Sequence, residues 1–210
     1  MAQLETRERL LQIALELIWQ NSYSSVGVNE ICAQAGVTKG AFYHHFQSKA
    51  SLFCEATLYY WQVIKGDLED VFSEDHTALE RLENLITYLL IAKLGDDNQT
   101  HGCPFYNAGA QIGTHDEQVI QALQAMSTTA SQYNQKLVEA LYNEGYLERQ
   151  EDAEQVARIL YQYIHGVMNH SQLNKQIELA RQDLPAGLYR LLGLKPEFWF
   201  TAEAKWQPKD

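Results

Sequence analysis

Apolar residues recur along most of this chain every three or four positions, the spacing that stacks them on one face of an α-helix. Leu10, Ile13, Ala14, Leu17 and Ile18 define a first helix ending near Asn21. Stretches 52–72, 79–94 and 117–146 each read as helices of several turns. Val156, Ile159, Leu160, Tyr163, Ile164, Val167 and Met168 repeat the pattern more regularly still, within a helix predicted over Asp152–Leu173. A last helix is predicted over Lys175–Gly193, with Pro185 either kinking or dividing it. Breaks fall at Ser22–Gly27, Gly36, Gly95–His101, Gly113–His115, Gly145–Glu151 and Asn174. No stretch alternates in the strand manner between hairpin turns. The predicted fold class is therefore all-α. Phe198, Trp199, Phe200 and Trp206 make the C-terminal residues too aromatic for a free tail, and they are expected to pack on the body or on a partner subunit.

One short region breaks the run of long helices. Val28–Ala35 reads as a two-turn helix with Ile31 and Ala35 on one face, and Gly36 supplies the backbone freedom needed just past its end. Thr38 suits the N-cap of a second short helix, Lys39–Phe46. Helix, tight turn and helix is the arrangement that lets the second helix enter a DNA major groove. Phe42 and Phe46, four residues apart, turn inward, which leaves Lys39, Tyr43 and His44 to face outward. Thr38 and the helix N-terminus can donate to phosphate, and Lys39 can meet phosphate or guanine acceptors. Ser48 caps the next helix, and Lys49 in its first turn is placed to meet a further phosphate.

Charge sharpens this picture. The formal net charge is −11, which alone argues against nucleic acid. Residues 1–50, however, hold Arg7, Arg9, Lys39 and Lys49 against Glu5, Glu8, Glu16 and Glu30, so all of the excess lies on residues 51–210. An acidic body repels DNA and leaves the N-terminal part as the only plausible contact surface. With no uninterrupted apolar run of membrane-spanning length, no membrane partner is expected. MAQLETRERL lacks a signal-peptide core, so the chain is expected in the cytoplasm. Cys32, Cys54 and Cys103 are sparse and odd in number, which argues against a disulfide framework. His44 and His45 are adjacent and diverge, while His165 and His170 lie five residues apart and off a shared face, so no metal site is expected.

The run ICAQAGVTKGAFYHHFQSKASLF, residues 31–53, resembles the signature of the TetR family of bacterial regulators. Gly36, Lys39, Gly40, Tyr43, Phe46, Lys49 and Leu52 stand at the family's spacing, whereas Ala41 and Ala50 depart from it. The resemblance implies about nine helices in two parts, a three-helix DNA-binding head over residues 1–48 and a larger effector-binding and dimerisation domain over 49–210. It also implies a homodimer through the helices near Asp152–Leu173 and Lys175–Gly193, reading a pseudo-palindromic operator in double-stranded DNA. The DNA-contacting residues it implies are Thr38, Lys39, Gly40, Tyr43, His44 and Lys49. An apolar stripe from Val156 to Met168 suits such an interface, but burial within one subunit would produce the same stripe.

Residues 102–113, GCPFYNAGAQIG, resemble the G-C-x-x-x-N segment that opens the sixth helix in one branch of that family, whose members include repressors sensing electrophiles or oxidants. Gly102, Cys103 and Asn107 match, while Tyr106 and Gln111 stand where that branch has glycine and glutamate. A thiol at a helix start, followed by Pro104 and preceded by His101, tends toward the reactive thiolate. The alternative is a small buried residue lining a non-covalent pocket. Phe105, Tyr106, Asn107, Gln111 and His165 are the other candidates for contact with a small-molecule effector.

No nucleophile–base pair, phosphate-cradling glycine loop or metal-ligand cluster supports catalysis, so neither enzymatic activity nor a cofactor is expected. The reading that follows is a ligand-responsive repressor. Its competitors are an all-α small-molecule or cofactor carrier, or an enzyme, without DNA binding, and an activator with the same head.

Overall fold

The computed structural model describes residues 5–21, 23–93, 116–201 and 206–208, and every regular element among them is helical. The order is α1 (Thr6–Gln20), α2 (Val28–Ala35), α3 (Lys39–His45), α4 (Lys49–Val71), α5 (Ala78–Tyr88), a π turn (Leu89–Lys93), α6 (Glu117–Asn143), α7 (Ala153–Asn174) and α8 (Ile177–Leu192). A short 3-10 turn, Pro196–Phe198, follows. These are the long helices expected from the periodicity, with ends set by specific caps. Thr77 and Glu80 form a reciprocal capping box at the start of α5, with hydrogen bonds of 3.2 and 2.9 Å. Asp116 accepts from the Gln118 N–H (3.1 Å) ahead of α6, and Asp152 accepts from the Gln155 N–H (3.0 Å) ahead of α7. The helix predicted over 79–94 widens into the π turn after Tyr88 instead of continuing as α-helix.

The chain divides into two compact units. In its described part the first unit comprises residues 5–21, 23–64 and 116–126. Its core gathers Leu10, Ala14 and Leu17 from α1, Ile31 and Ala35 from α2, Phe42 and Phe46 around α3, and Leu52, Phe53 and Ala56 from α4. Val119, fully buried near the start of α6, completes it. At the surface of this unit Arg7 pairs with Glu55, and Tyr59 accepts from Gln12 Nε2 at 3.0 Å, tying α1 to α4.

The second unit, in its described part residues 65–93, 127–201 and 206–208, is built on the later helices. Val156, Leu160, Ile164 and Met168 of α7 are all buried in its core with Leu82, Leu141, Leu184 and Leu188. Four residues of the stripe that also suited a subunit interface are thus packed within their own subunit, whereas Ile159 of the same stripe is 37% exposed. Pro185 does not divide α8, which runs through it unbroken and gives up the one rung its missing N–H would have made. Gly187 is fixed by a close approach: a Cβ there would fall 1.8 Å from Tyr163 Oη, and that hydroxyl donates to the Asp183 carbonyl at 2.7 Å. The aromatic C-terminal residues fold back. The Trp206 N–H donates to Asn84 Oδ1 (3.0 Å), its ring meets Tyr88 edge-on, and Trp199 Nε1 donates to the Leu194 carbonyl (2.8 Å).

A buried ionisable pair links α5 to α8, with Tyr189 Oη donating to Glu83 Oε1. Burial raises the Glu83 carboxyl above its ordinary value, and the Tyr189 hydrogen bond offsets this in part. Burial, followed by the hydrogen bond and charge of Glu83, raises Tyr189 as well. A carboxyl with a raised folded pKa contributes stability that is fully present below the unfolded value, 4.5, and is lost as pH rises through the folded value. Glu83→Gln keeps an oxygen for Tyr189 and stays neutral at every pH. The variant is therefore expected to be more stable than the parent at pH 7–8, with the difference vanishing near pH 4. Urea-unfolding midpoints across that range check this, and a pH-independent difference would contradict it.

Candidate nucleic-acid interface

The helix-turn-helix is held by short-range geometry. Gly36 takes the left-handed conformation (φ 64°, ψ 35°), where a Cβ is strained, and lets the Val37 N–H reach back to the Cys32 carbonyl at 3.0 Å. Thr38 is the N-cap of α3, its Oγ1 accepting from the Ala41 N–H at 3.2 Å, which leaves its own O–H free to donate outward. The α3 helix ends at His45 because Phe46 adopts an extended backbone (φ −134°, ψ 128°) and turns its ring into the core. Phe42 and Phe46 are both buried, with ring centroids 5.9 Å apart.

On the opposite side of α3, Thr38, Lys39, Gly40, Tyr43 and His44 are all exposed. Tyr43 is 56% exposed even though its ring meets Phe42 edge-on at 5.1 Å. A tyrosine left in solvent beside a lysine and a histidine on one short helix offers donors, charge and an aromatic face without cost to the core. Lys49, grouped with these residues in the sequence, is placed differently. Its Nζ donates inward to the Tyr23 carbonyl (2.8 Å) and the Val26 carbonyl (3.1 Å) and sits 4.2 Å from the centroid of the Tyr23 ring.

Tyr23 is the residue that sequence reasoning passed over. Its ring packs edge-on against Phe53 at 4.9 Å. Burial, then the charges of Asp116 and Cys54, push its hydroxyl up to about 12. Cys54 Sγ in turn donates to the Gln118 carbonyl at 3.4 Å, and Cys32 is buried among apolar neighbours. No periodic or motif signal marks Tyr23, because its partners come from α4 and α6.

Of the candidate effector residues, Cys103, Phe105, Tyr106, Asn107 and Gln111 lie outside the described residues. His165 is half-buried on α7 with its ring 4.3 Å from that of Tyr161. The second unit holds a cavity of about 160 Å³ lined by Val138, Tyr142, Leu147, Val156 and Leu192, with Arg149 and Glu151 at its polar edge. Among the described residues no group of three or more His, Cys, Asp or Glu side chains is placed to hold a metal ion, and no helix is long and apolar enough to cross a membrane.

Two family models match the chain. One, described as bacterial regulatory proteins of the tetR family, matches residues 10–56, and one described as a tetracyclin repressor-like C-terminal domain matches 78–184, just over half of the 210 residues. A relative from Shigella flexneri, the HTH-type transcriptional regulator AcrR, is 39% identical over 67 residues, or 32% of this chain and 29% of the relative. The chain spans 29%, 61% and 62% of the length of three curated relatives it matches. Among solved structures, the reduced form of NemR from E. coli superposes with a TM-score of 0.77 at 20% identity, covering 89% of this chain and 97% of that one. The complex of SmeT with triclosan gives 0.74 at 17% identity, covering 98% and 99%. At such identities these two likenesses establish the fold.

Proposed function

The chain belongs to the tetR family of bacterial regulatory proteins, and from that premise we propose that it is a cytoplasmic transcriptional repressor. As a homodimer it binds a pseudo-palindromic operator and leaves it on a small-molecule or electrophile signal. One observation carries the reading. A short helix, capped by Thr38 and pinned by Phe42 and Phe46, presents Lys39, Gly40, Tyr43 and His44 together to solvent. That face suits phosphate and base-edge contacts, and it lies in the charge-neutral portion of an otherwise acidic chain.

The effector half of the proposal is supported by relatives. SmeT is known in complex with triclosan and NemR in a reduced form, so a bound small ligand and a distinct reduced form both have counterparts in proteins of this fold. For this chain the corresponding candidates are Cys103, Phe105, Tyr106, Asn107, Gln111 and His165. Effector binding or modification of Cys103 shifts the dimer toward a state whose heads no longer match the two half-sites.

Fluorescence anisotropy with the DNA upstream of its own gene tests the reading. Saturable binding that weakens steeply with salt is expected, as counterion release requires. Release by an electrophile in the parent but not in Cys103→Ser supports the thiol as sensor. Full release in both removes Cys103 as the sensor.

A further inference from the structure

Lys49 opens α4 within the capped turn that Ser48 and Ser51 form, where the Ser51 N–H donates to Ser48 Oγ at 3.0 Å and the Ser48 N–H to Ser51 Oγ at 3.1 Å. Its position along the chain is therefore fixed just after α3. Its side chain reaches back across the head to the chain just before α2. An ammonium has three N–H donors and no acceptor. Here two donors meet the Tyr23 and Val26 carbonyls, and the ammonium lies over the face of the Tyr23 ring, 4.2 Å from its centroid. Each of these partners lies inside the head. The residue after Val26 is Gly27, whose carbonyl accepts from the Glu30 and Ile31 N–H groups (both 3.1 Å) as the first rung of α2.

One cation thus joins the chain that enters the helix-turn-helix to the chain that leaves it. We infer that Lys49 is a positioning residue, whose ammonium clamps the Tyr23–Val26 turn to the start of α4 and so fixes the angle at which α3 meets DNA, and that it makes no phosphate contact. The inference rests on the DNA-binding reading above and deepens it. A phosphate would have to draw the ammonium away from two carbonyls and an aromatic face, three partners exchanged for one. Burial lowers the Lys49 pKa, as expected for an ammonium taken partly out of water. The turn it holds is anchored a second time one turn further along α4, where the Tyr23 ring packs edge-on against Phe53. Recognition groups must be held within about 0.5 Å and 10–20° to act, so a loosened support is felt at α3 without any lost contact.

The test is the salt dependence of binding to a duplex selected by the parent protein from a random-sequence pool. Lys49→Met keeps the apolar stem and removes the three donors. It is expected to weaken binding about tenfold, with the slope of log K against log salt unchanged. Lys49→Arg keeps a cation for any phosphate, but its longer, planar fork does not reproduce a point charge over the Tyr23 ring that also donates to both carbonyls. It is expected to weaken binding too. Were Lys49 on a phosphate, the slope would flatten by about 0.9 per subunit and arginine would largely restore affinity. Either of those results, or parental affinity in Lys49→Met, overturns the inference. If circular dichroism shows Lys49→Met unfolded, the affinity of Lys49→Arg decides the matter alone. A parent that selects no duplex removes the DNA-binding reading itself, and this inference with it.

Discussion

Lys39→Ala and Tyr43→Ala are each expected to weaken operator binding about thirtyfold or more while leaving helicity and dimerisation unchanged. A placed contact to a base edge is worth about 1–3 kcal/mol. A two-fold operator uses each contact twice, so the low end of that range already amounts to about 2 kcal/mol, or roughly thirtyfold. Neither truncation takes anything substantial from the core. Lys39 is exposed and Tyr43 projects into solvent beside Phe42, whose fully buried ring, with that of Phe46, is what anchors α3. Substitutions at such positions usually change stability by no more than about 0.5 kcal/mol. The two variants also differ in kind. If Lys39 meets a phosphate, Lys39→Ala flattens the salt slope by about 0.9 per subunit, whereas Tyr43→Ala lowers affinity with the slope intact. Anisotropy titrations across a salt series measure both quantities, and unchanged affinity in both variants would refute this placement of the recognition helix.

The contrast between Lys39 and Lys49 shows what could be read from the sequence. The recognition helix was legible because its determinants are local: a glycine at the αL position, a threonine cap three residues before the N–H it accepts from, and two phenylalanines one turn apart. The spacing shared with regulators of the family carried Lys49 into the same group of residues. Its actual partners lie 26 and 23 residues earlier, on a turn with no periodic signature. The same reason hid the Glu83–Tyr189 pair, whose members are 106 residues apart, and the burial of Val119 in the core of the first unit. Helix periodicity states which face is apolar, but it does not state what covers that face. Hence Val156, Leu160, Ile164 and Met168 were equally compatible with an interface and with a private core. Only packing separated the two, placing these residues at 2–6% exposure inside their own unit.

That separation leaves the exposed positions of α7 for the proposed dimer interface, and Gly166 provides its sharpest test. Ile159, Gly166, His170 and Leu173 recur at helical spacing and are all exposed, on a face that flanks the buried residues of the stripe. Leu173 is 81% exposed and Ile159 37%, with Leu179 of α8 at 47%, apolar side chains that the proposed two-fold contact would cover. Gly166 lies at the centre of this face, and a Cβ added there meets nothing within 4 Å. Gly166→Glu therefore meets no obstacle at its Cβ in the isolated subunit and improves helix propensity by about 0.5–1 kcal/mol. Across a two-fold interface the same change sets two carboxylates against closely packed helices, where an unpaired buried charge costs several kcal/mol. The variant is expected to sediment as a folded monomer with an unfolding midpoint at or above that of the parent subunit. Its operator affinity is expected to fall by about 10²–10⁴, because the second half-site is then no longer bound as part of the same particle. Loss of binding with the dimer intact would separate the α7 face from dimerisation. A dimer of parental affinity would place the interface elsewhere on the chain.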